Sequence, residues 1–550
     1  MSYYIFVAIG LLFLIILVFN RIRTYRFKQK LMDSWGNLNH ITKEKDNLSS
    51  LHQVFEEKLI HDSSNGFIID QQTWDDLSLQ DVFAQINQSF SSLGAEFIYH
   101  RLRFISYDSS EDHDFETLQS YMSNHARQRT DILYYFSQLG KQNFANIPSR
   151  ILGRKRSHFW QLILYCLLGI MPILCLFLSV FQLEVGLVSS LVSVAFNVIF
   201  YYMMKYKIVL GIDNYGYLIR MFLMANQIAK IDSPLRDKIK KNLAPFKSLS
   251  VISFAFRRPM GMSDTDIIFE YLNIIFMIPF IAYAILQHRL DKHEREALNL
   301  YENLSELEAA IAVANYKTSL PYYCLPTFTK EDSANGQEIY HPLIENAKSN
   351  PLNFSDNMLI TGDNASGKST YIRMIAINLI MSQSLNFAFA KEFSLKKGKV
   401  LTAMSIVDDI SQGDSYFISE CKAIKRMVDT VAKGEYAYFF LDEIFKGTNT
   451  IDRVSSALSI IQYFQSRNCR YMISTHDIEL MNLSKDSHQN FCFTSTYQNG
   501  EVLFDYILRE GKTMTKNAVN LLETLAYPEA IISKARAYSE EISITCQFKK

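Results

Sequence analysis

Residues 362–370 read GDNASGKST, and the phosphate-binding pattern G-x-x-x-x-G-K-[ST] is complete within them. The apolar residues Met358, Leu359 and Ile360 precede this stretch, and the helix-favouring TYIRMIAINLI (residues 370–380) continues it. A strand, a glycine-rich turn and a helix, in that order, are what the pattern needs. Glycines let backbone N–H groups face phosphate oxygens, the lysine reaches the β- and γ-phosphates, and the hydroxyl of the following residue ligates Mg2+. The helix N-terminus adds its partial positive charge. On this reading Gly362, Asp363, Asn364, Ala365, Ser366, Gly367, Lys368, Ser369 and Thr370 cradle the phosphates of a nucleotide.

Two further apolar runs end in polar groups. Residues 436–441 (YAYFFL) have the continuous apolar character of a parallel strand buried on both faces, and Asp442 and Glu443 follow. Residues 470–475 (RYMIST) run into His476. Ligands of open α/β sheets sit at the carboxyl ends of the strands. Three such ends in one domain therefore point to phosphoanhydride hydrolysis. Asp442 joins Ser369 on the metal, Glu443 orients the attacking water, His476 senses the γ-phosphate and Lys368 neutralises its charge.

The same segments resemble the MutS family. The loop matches its form of the motif down to Asn364, and DDISQGDSYF (residues 408–417) is similar to the family segment that touches the partner subunit's nucleotide. LDEIFKGTNT (441–450) is similar to its second nucleotide motif, and STHDIEL (474–480) to its strand-end histidine motif. All four stand in family order over the C-terminal part of the chain. Asp414 stands where the family usually has arginine, and Phe445 and Lys446 replace a common Gly-Arg. The resemblance implies ATP as nucleotide, Mg2+ as cofactor, and a homodimer in which Ser411 and Ser415 reach the neighbouring site. Residues 518–525 (AVNLLETL) and 528–535 (PEAIISKA) resemble the helices through which such ATPase domains pair. Upstream, IDQQTWDDL (69–77), FSSLGAEF (90–97) and RLR (101–103) are similar to the start of the family's helical core, and LSELEAAIAVAN (304–315) to its end. No α/β domain bearing a Phe-x-Glu mismatch wedge is expected ahead of that core. The literal match FEE (55–57) falls in a polar helical run.

Membrane segments are expected in its place. Residues 3–19 carry no charge, and Arg21, Arg23, Arg26, Lys28 and Lys30 follow. That order suits an uncleaved anchor with its N-terminus outside and its basic flank in the cytoplasm. Residues 160–181 and 185–204 form two further apolar runs, with Arg154, Lys155 and Arg156 before them and Lys205 and Lys207 after. They read as a transmembrane hairpin with both ends cytoplasmic. A fourth run, 274–286, is too short to span. Parity agrees, because a fourth crossing would export the ATPase domain, so this run reads as a buried helix of the core.

The expected fold is an α/β P-loop ATPase domain of the ABC/MutS type, C-terminal to an all-α core that the hairpin interrupts. Residues 1–20 form the anchor, 21–60 a helical connector and 61–156 the first part of the core. The hairpin takes 157–206, the second part of the core 207–315, and the ATPase domain with its dimerisation helices 316–550. Lysine and arginine balance aspartate and glutamate at 56 each, so no global basic field draws the chain to nucleic acid. The seven cysteines form no C-x-x-C pair, which gives neither a disulfide framework nor a zinc site. Basic residues from Arg236 to Lys247 read as a solvated helix face. Two outputs follow for a membrane ATPase. One is a DNA-binding mismatch-repair relative tethered at a lipid surface; the alternative is a DNA-independent switch that passes nucleotide state to the hairpin. An ABC-type transporter fits less well, since no Leu-Ser-Gly-Gly-Gln signature is present. No protein partner is identifiable.

Overall fold

A computed structural model describes residues 2–37, 46–61, 65–108, 110–153, 159–249, 271–363, 366–404, 416–483, 488–498, 501–511, 522 and 527–547. The chain divides into two compact units. The first comprises Met1–Ser64, Gln85–His100 and Ser109–Ser319; the second comprises Asn65–Ala84, Arg101–Asp108 and Leu320–Lys550.

In chain order the elements begin with α1 (Ser2–Asp33), α2 (Leu48–His61), β1 (Gly66–Ile68), α3 (Gln71–Asp76), α4 (Leu79–Ile86), α5 (Ser92–Arg103) and β2 (Phe104–Ser106). Then come α6 (Ser110–Asn124), α7 (Ala126–Leu139), α8 (Ile147–Leu152), α9 (Phe159–Leu178), α10 (Leu183–Ile228), α11 (Arg236–Leu243), α12 (Ile278–Lys292) and α13 (Glu294–Ser319). The second unit continues with β3 (Thr327–Phe328), β4 (Ala334–Ile339), β5 (Asn350–Asn353), β6 (Met358–Gly362), α14 (Lys368–Ser384), β7 (Glu392–Leu395) and β8 (Lys399–Ala403). It ends with α15 (Tyr416–Ala432), β9 (Ala437–Asp442), α16 (Thr450–Gln465), β10 (Cys469–Ser474), α17 (Ile478–Leu483), β11 (Gln489–Phe493), β12 (Ser495–Gln498), β13 (Glu501–Phe504), β14 (Arg509–Glu510) and α18 (Glu529–Gln547).

The helical unit is organised around α13. Leu300, Leu304, Leu307 and Ile311 recur at helical spacing along it and are all buried. Glu308 lies on the same face and is buried too, because it serves the N-terminus of α5. Its carboxylate accepts from the amides of Phe90, Ser91 and Gly94 at 2.8, 2.9 and 3.0 Å, and from the Ser91 hydroxyl. The Ser91 and Gly94 amides are among those a helix leaves unpaired at its start. Gly94 is required there, since a Cβ would lie 2.9 Å from Glu308 Cγ. One turn along, Tyr301 donates to Glu96 at 2.5 Å. The two sequence segments that resemble the ends of the MutS core are thereby tied by side chains.

α9 and α10 form an antiparallel hairpin, and the stretches Trp160–Leu178 and Leu183–Met204 are long and apolar enough to cross a membrane. Few of their side chains are buried, and Leu191, Phe181 and Trp160 stand more than two-thirds exposed. Gly186 permits the tight turn: a Cβ there would meet Ser179 N at 2.1 Å. The N-terminal helix runs through residue 20 and its basic flank as one element to Asp33. In the run 274–286 buried and half-buried residues alternate, and the run packs on the hairpin. Ile274, Met277, Phe280 and Ala284 share a cluster with Tyr165 and Tyr201.

The second unit holds a six-stranded sheet in the order β14-β11-β6-β10-β9-β8, parallel except for β14. α15 and α16 cover one face, with Ala423, Met427, Ala457, Ile461 and Phe464 packed on Phe439, Leu441 and Tyr471. Residues 65–84 and 101–108 belong to this unit although they precede the hairpin. Their α3 seals the edge strand β8. Asp76 accepts from the Thr402 hydroxyl at 2.7 Å and the Met404 amide at 3.0 Å, and Arg426 bridges Asp70 to the Thr402 carbonyl. An edge strand's free amides and carbonyls are thus taken up by side chains. The acidic residues of IDQQTWDDL owe their positions to this sealing of β8 and to the start of α3, which Asp70 caps through the Thr73 amide at 2.8 Å.

Burial raises the Glu96 carboxyl from 4.5 to about 7. The folded state holds this proton longer than the unfolded chain does. The resulting stability is complete below the unfolded value and is lost as pH rises through about 7. Burial raises Glu308 likewise to about 7, so Glu96→Gln should lessen, without abolishing, the fall in melting temperature of the helical signal between pH 5 and pH 8, its share being roughly 3 kcal/mol at most. An unchanged slope in the variant would show that Glu96 does not carry it.

Candidate functional site

Four segments of the second unit meet at the carboxyl ends of β6, β9 and β10. The ladder explains the meeting. β9 and β10 pair in parallel with Asp442 opposite Ser474, and Ser474 also stands opposite Ile360 on β6. Ser474 Oγ donates to one carboxylate oxygen of Asp442. Ser369 Oγ, in the first turn of α14, donates to the other at 2.6 Å. Asp442 is therefore held by two hydroxyls.

Glu443 leaves the strand in the left-handed region, at φ +60°. For a residue other than glycine that conformation costs about 1–2 kcal/mol, so its surroundings must hold it. Its amide donates to the Ser474 carbonyl at 3.1 Å. His476 Nε2 lies 3.2 Å from one carboxylate oxygen and Lys446 Nζ 3.6 Å from the other. The His476 bond holds the Glu443 carboxyl below the usual carboxylate range; burial opposes it, and the charges of Lys446 and Lys368 assist. The loop carrying Lys446 is itself fixed, since Glu420 accepts from the amides of Lys446 and Gly447 at 2.9 and 3.3 Å.

The glycine-rich turn encloses Lys368. Its ammonium donates to the carbonyls of Gly362 and Asp363 at 2.7 and 2.8 Å. Burial lowers this lysine below its ordinary range, while Asp442, Glu443 and Asp363 pull the other way. Gly362 and Gly367 take φ +152° and +106°. A Cβ on Gly367 would lie 3.1 Å from the Tyr506 ring, and one on Gly362 would lie 2.7 Å from Ser366 Oγ. Ser495 donates to Asp363 at 2.5 Å, tying the turn to β12.

Above these groups opens a cavity of about 600 Å³. Lys368, Ser369, Thr370, Asp442 and Glu443 lie at one end of it; Ile344, Met374, Phe493 and Tyr506 are among the other residues that line it, with Glu345 and Lys348. His341, at the same wall, is brought to about 4 by burial and the nearby Arg373, so it is neutral at physiological pH. Two features suit a phosphate–metal ligand. Ser369 and Asp442 offer hard oxygen donors of the kind magnesium takes. Ser366 Oγ is buried without a partner among the described residues and faces this cavity.

Of the residues singled out from sequence, Gly362, Asp363, Ser366, Gly367, Lys368, Ser369, Thr370, Asp442, Glu443 and His476 come together here. Asn364, Ala365, Ser411 and Ser415 lie outside the described residues, as does Asp414. Sequence reasoning missed Ser474, Ser495, Glu420 and Tyr506. Ser474 had a signal: it ends the strand beside the one that ends at Asp442. Tyr506 had none, because it lies far along the chain among strands with no motif.

The MutS domain V family model matches residues 358–543. The chain is also similar to proteins named DNA mismatch repair protein MutS. One from Listeria monocytogenes serotype 4a is 28% identical over 277 residues, covering 47% of this chain and 32% of that protein. One from Bacillus velezensis is 28% identical over 292 residues, covering 51% and 33%. A Clostridium kluyveri protein is 26% identical over 279 residues, covering 48% and 32%. The chain thus spans about a third of the length of the curated relatives it matches.

Gly367→Ala should lower the stability of the second unit by about 1–3 kcal/mol, since it adds a Cβ at positive φ against Tyr506. Thermal unfolding of the full chain reads this directly. A variant that melts with the parent would mean that the turn does not need this conformation.

Proposed function

We propose that this chain, which belongs to the MutS family through its domain V, is a membrane-anchored ATP hydrolase working as a homodimer. The observation that carries the reading is the contact of Ser369 and Asp442 beside the Glu443–His476 pair, all at adjacent strand ends. Lys368 neutralises charge on the β- and γ-phosphates, and Ser369 and Asp442 would hold Mg2+. Bound there, that ion would offset the charge of the phosphate oxygens. Glu443 orients the attacking water as a hydrogen-bond acceptor, a role in which its lowered carboxyl stays ionised. His476 fixes the Glu443 side chain and reads the γ-phosphate. Tyr506 and Ile344 suit the face of a nucleobase. Ser411 and Ser415 are assigned to the partner's nucleotide on family resemblance alone.

For the output, we favour a DNA-binding mismatch-repair relative, as the names of the similar proteins suggest. The zero net charge is the observation that favours the alternative, a switch that works without DNA. Membrane anchoring is supported by the length of the apolar stretches in α9 and α10 and by their many exposed apolar side chains. The proposed topology is multi-pass, with the N-terminus outside and the ATPase domain cytoplasmic.

Glu443→Gln should retain nucleotide binding and lose turnover by about 10²–10⁴-fold. Lys368→Ala should weaken nucleotide binding itself. Equal turnover in parent and Glu443→Gln protein would remove Glu443 from the mechanism. Ser474→Ala should raise the magnesium concentration for half-maximal turnover, because Asp442 loses one of its two hydroxyl restraints. A magnesium dependence that does not move would assign Ser474 to packing.

DNA separates the two outputs. Turnover of the detergent-purified protein should rise with homoduplex or mismatched DNA, and the effect should persist at about 0.15 M salt. Turnover indifferent to DNA yet altered by lipid would select the DNA-independent switch.

A further inference from the structure

Residues 271–275 are helical, the chain turns at Phe276 and Met277, and α12 begins at Ile278. Met277 takes the left-handed region at φ +55°. The helical stretch ends at this turn, and Pro279 at the start of α12 offers no N–H, so the carbonyl of Ile275 has no helical donor. α9 leaves a carbonyl open for a different reason. Pro172 lies within it and leaves the Leu168 carbonyl without its amide. One side chain serves both. Asn197 of α10 is fully buried, and its Nδ2 donates to Leu168 O at 2.7 Å and to Ile275 O at 2.8 Å. Its Oδ1 has no partner among the described residues, so the side chain is held for its two donors.

We propose that residues 271–286 enter the membrane as a re-entrant half-helix, docked on the hairpin through Asn197 and facing lipid acyl chains with Tyr271 and Leu272. The inference rests on the membrane reading of α9 and α10. Leu168 lies midway along α9, so the break at 276–277 sits near the middle of the hydrocarbon layer. Irregular backbone at that depth survives only where protein buries it and bonds its carbonyls. At the break Met277 is fully buried and Ile274 nearly so, and the carbonyls of Ile274, Ile275 and Met277 are bonded. Gly169 admits the Phe276 carbonyl so closely that a Cβ would lie 2.4 Å from it. Phe280 then packs between Tyr165 and Tyr201, with ring centroids 5.5 and 5.2 Å away.

The two flanks of the segment return to one place. Phe246, before it, stacks on Phe222 at 4.3 Å and meets His293, after it, at 6.3 Å. The chain therefore leaves and regains the same level of the helical unit, on the side where both ends of the hairpin emerge. Tyr271 and Leu272 remain 62% and 39% exposed at the inner end, with apolar surface that a bilayer would cover.

The test uses full-length protein in phosphatidylcholine vesicles, with a benzophenone amino acid placed singly at Tyr271, Leu272, Leu191 on the hairpin or Ile451 on α16. After irradiation, lipid adducts are read by mass spectrometry. Adducts at Leu191, Tyr271 and Leu272, with none at Ile451, are expected. Adducts at Leu191 alone would overturn the half-helix and leave the hairpin in the membrane. No adduct at Leu191 would overturn both readings. Asn197→Leu should cut the Leu272 adduct several-fold and lower the melting temperature. Adding Pro172→Ala returns an amide to Leu168 O, so part of the melting temperature should come back. No recovery would mean that Asn197 does not act through these carbonyls.

Discussion

A buried backbone amide or carbonyl outside a ladder must find a partner, and much of this molecule is arranged by that requirement. Glu308 takes the free amides at the start of α5. Asp76 and Arg426 take the open edge of β8. Glu420 gathers the amides of the loop after β9. Lys368 binds two carbonyls of the glycine-rich turn, and Asn197 binds the two that a proline and a helix break leave open. Each is a polar or charged side chain that burial alone would disfavour. Each is kept because losing it would leave backbone groups unpaired, at about 1–3 kcal/mol per group in a protein interior and more in lipid.

The candidate site follows the same logic, with a difference in purpose. Its backbone is not relaxed: Glu443 and Phe445 both stand at positive φ. Such positions persist when the neighbours over-determine them. Here the Ser474 carbonyl holds the Glu443 amide, His476 and Lys446 hold its carboxylate, and Glu420 holds the loop beyond. Asp442 cannot rotate without breaking two hydroxyl bonds. Carboxylates fixed before a nucleotide arrives need no reordering when charge develops on phosphate oxygens. Lys446 stands where a common arginine would, and its single ammonium reaches Glu443 without the planar two-pronged contact that a guanidinium makes.

How much of this was legible in the sequence depends on the range of the interaction. The turn at 362–370 and the strand ends at Asp442 and His476 declare themselves because their function is local: one loop and the last residue of each strand. Ser474 was half-legible, since its meaning depends on which strands are neighbours. Sheet order follows from crossovers and is not written in either strand. α3 was harder. IDQQTWDDL reads as the start of a helical core, yet its polar residues serve an edge strand more than three hundred positions later, and nothing local in Asp76 says so. The run 274–286 shows the opposite limit. Length and parity excluded a span and gave a buried helix, but burial against what surface is a question composition does not answer.

Pro172, the break at Met277 and Asn197 answer it together and mean little apart. A carbonyl left open by a proline or a helix break is ordinarily served by the chain around it. Here two open carbonyls, from segments far apart in sequence, converge on one amide group. Nδ2 has two hydrogens and both are used. Replacing Pro172 would make one of the bonds redundant; replacing the asparagine would leave two carbonyls open at once. The asymmetry makes Asn197 the point through which α9, α10 and the segment before α12 share one geometry. A movement of α12 along the hairpin must first break a bond made by a fully buried side chain. Since α13 follows α12 after a single residue, the helix that organises the core is anchored at its start to the least adaptable contact in the hairpin.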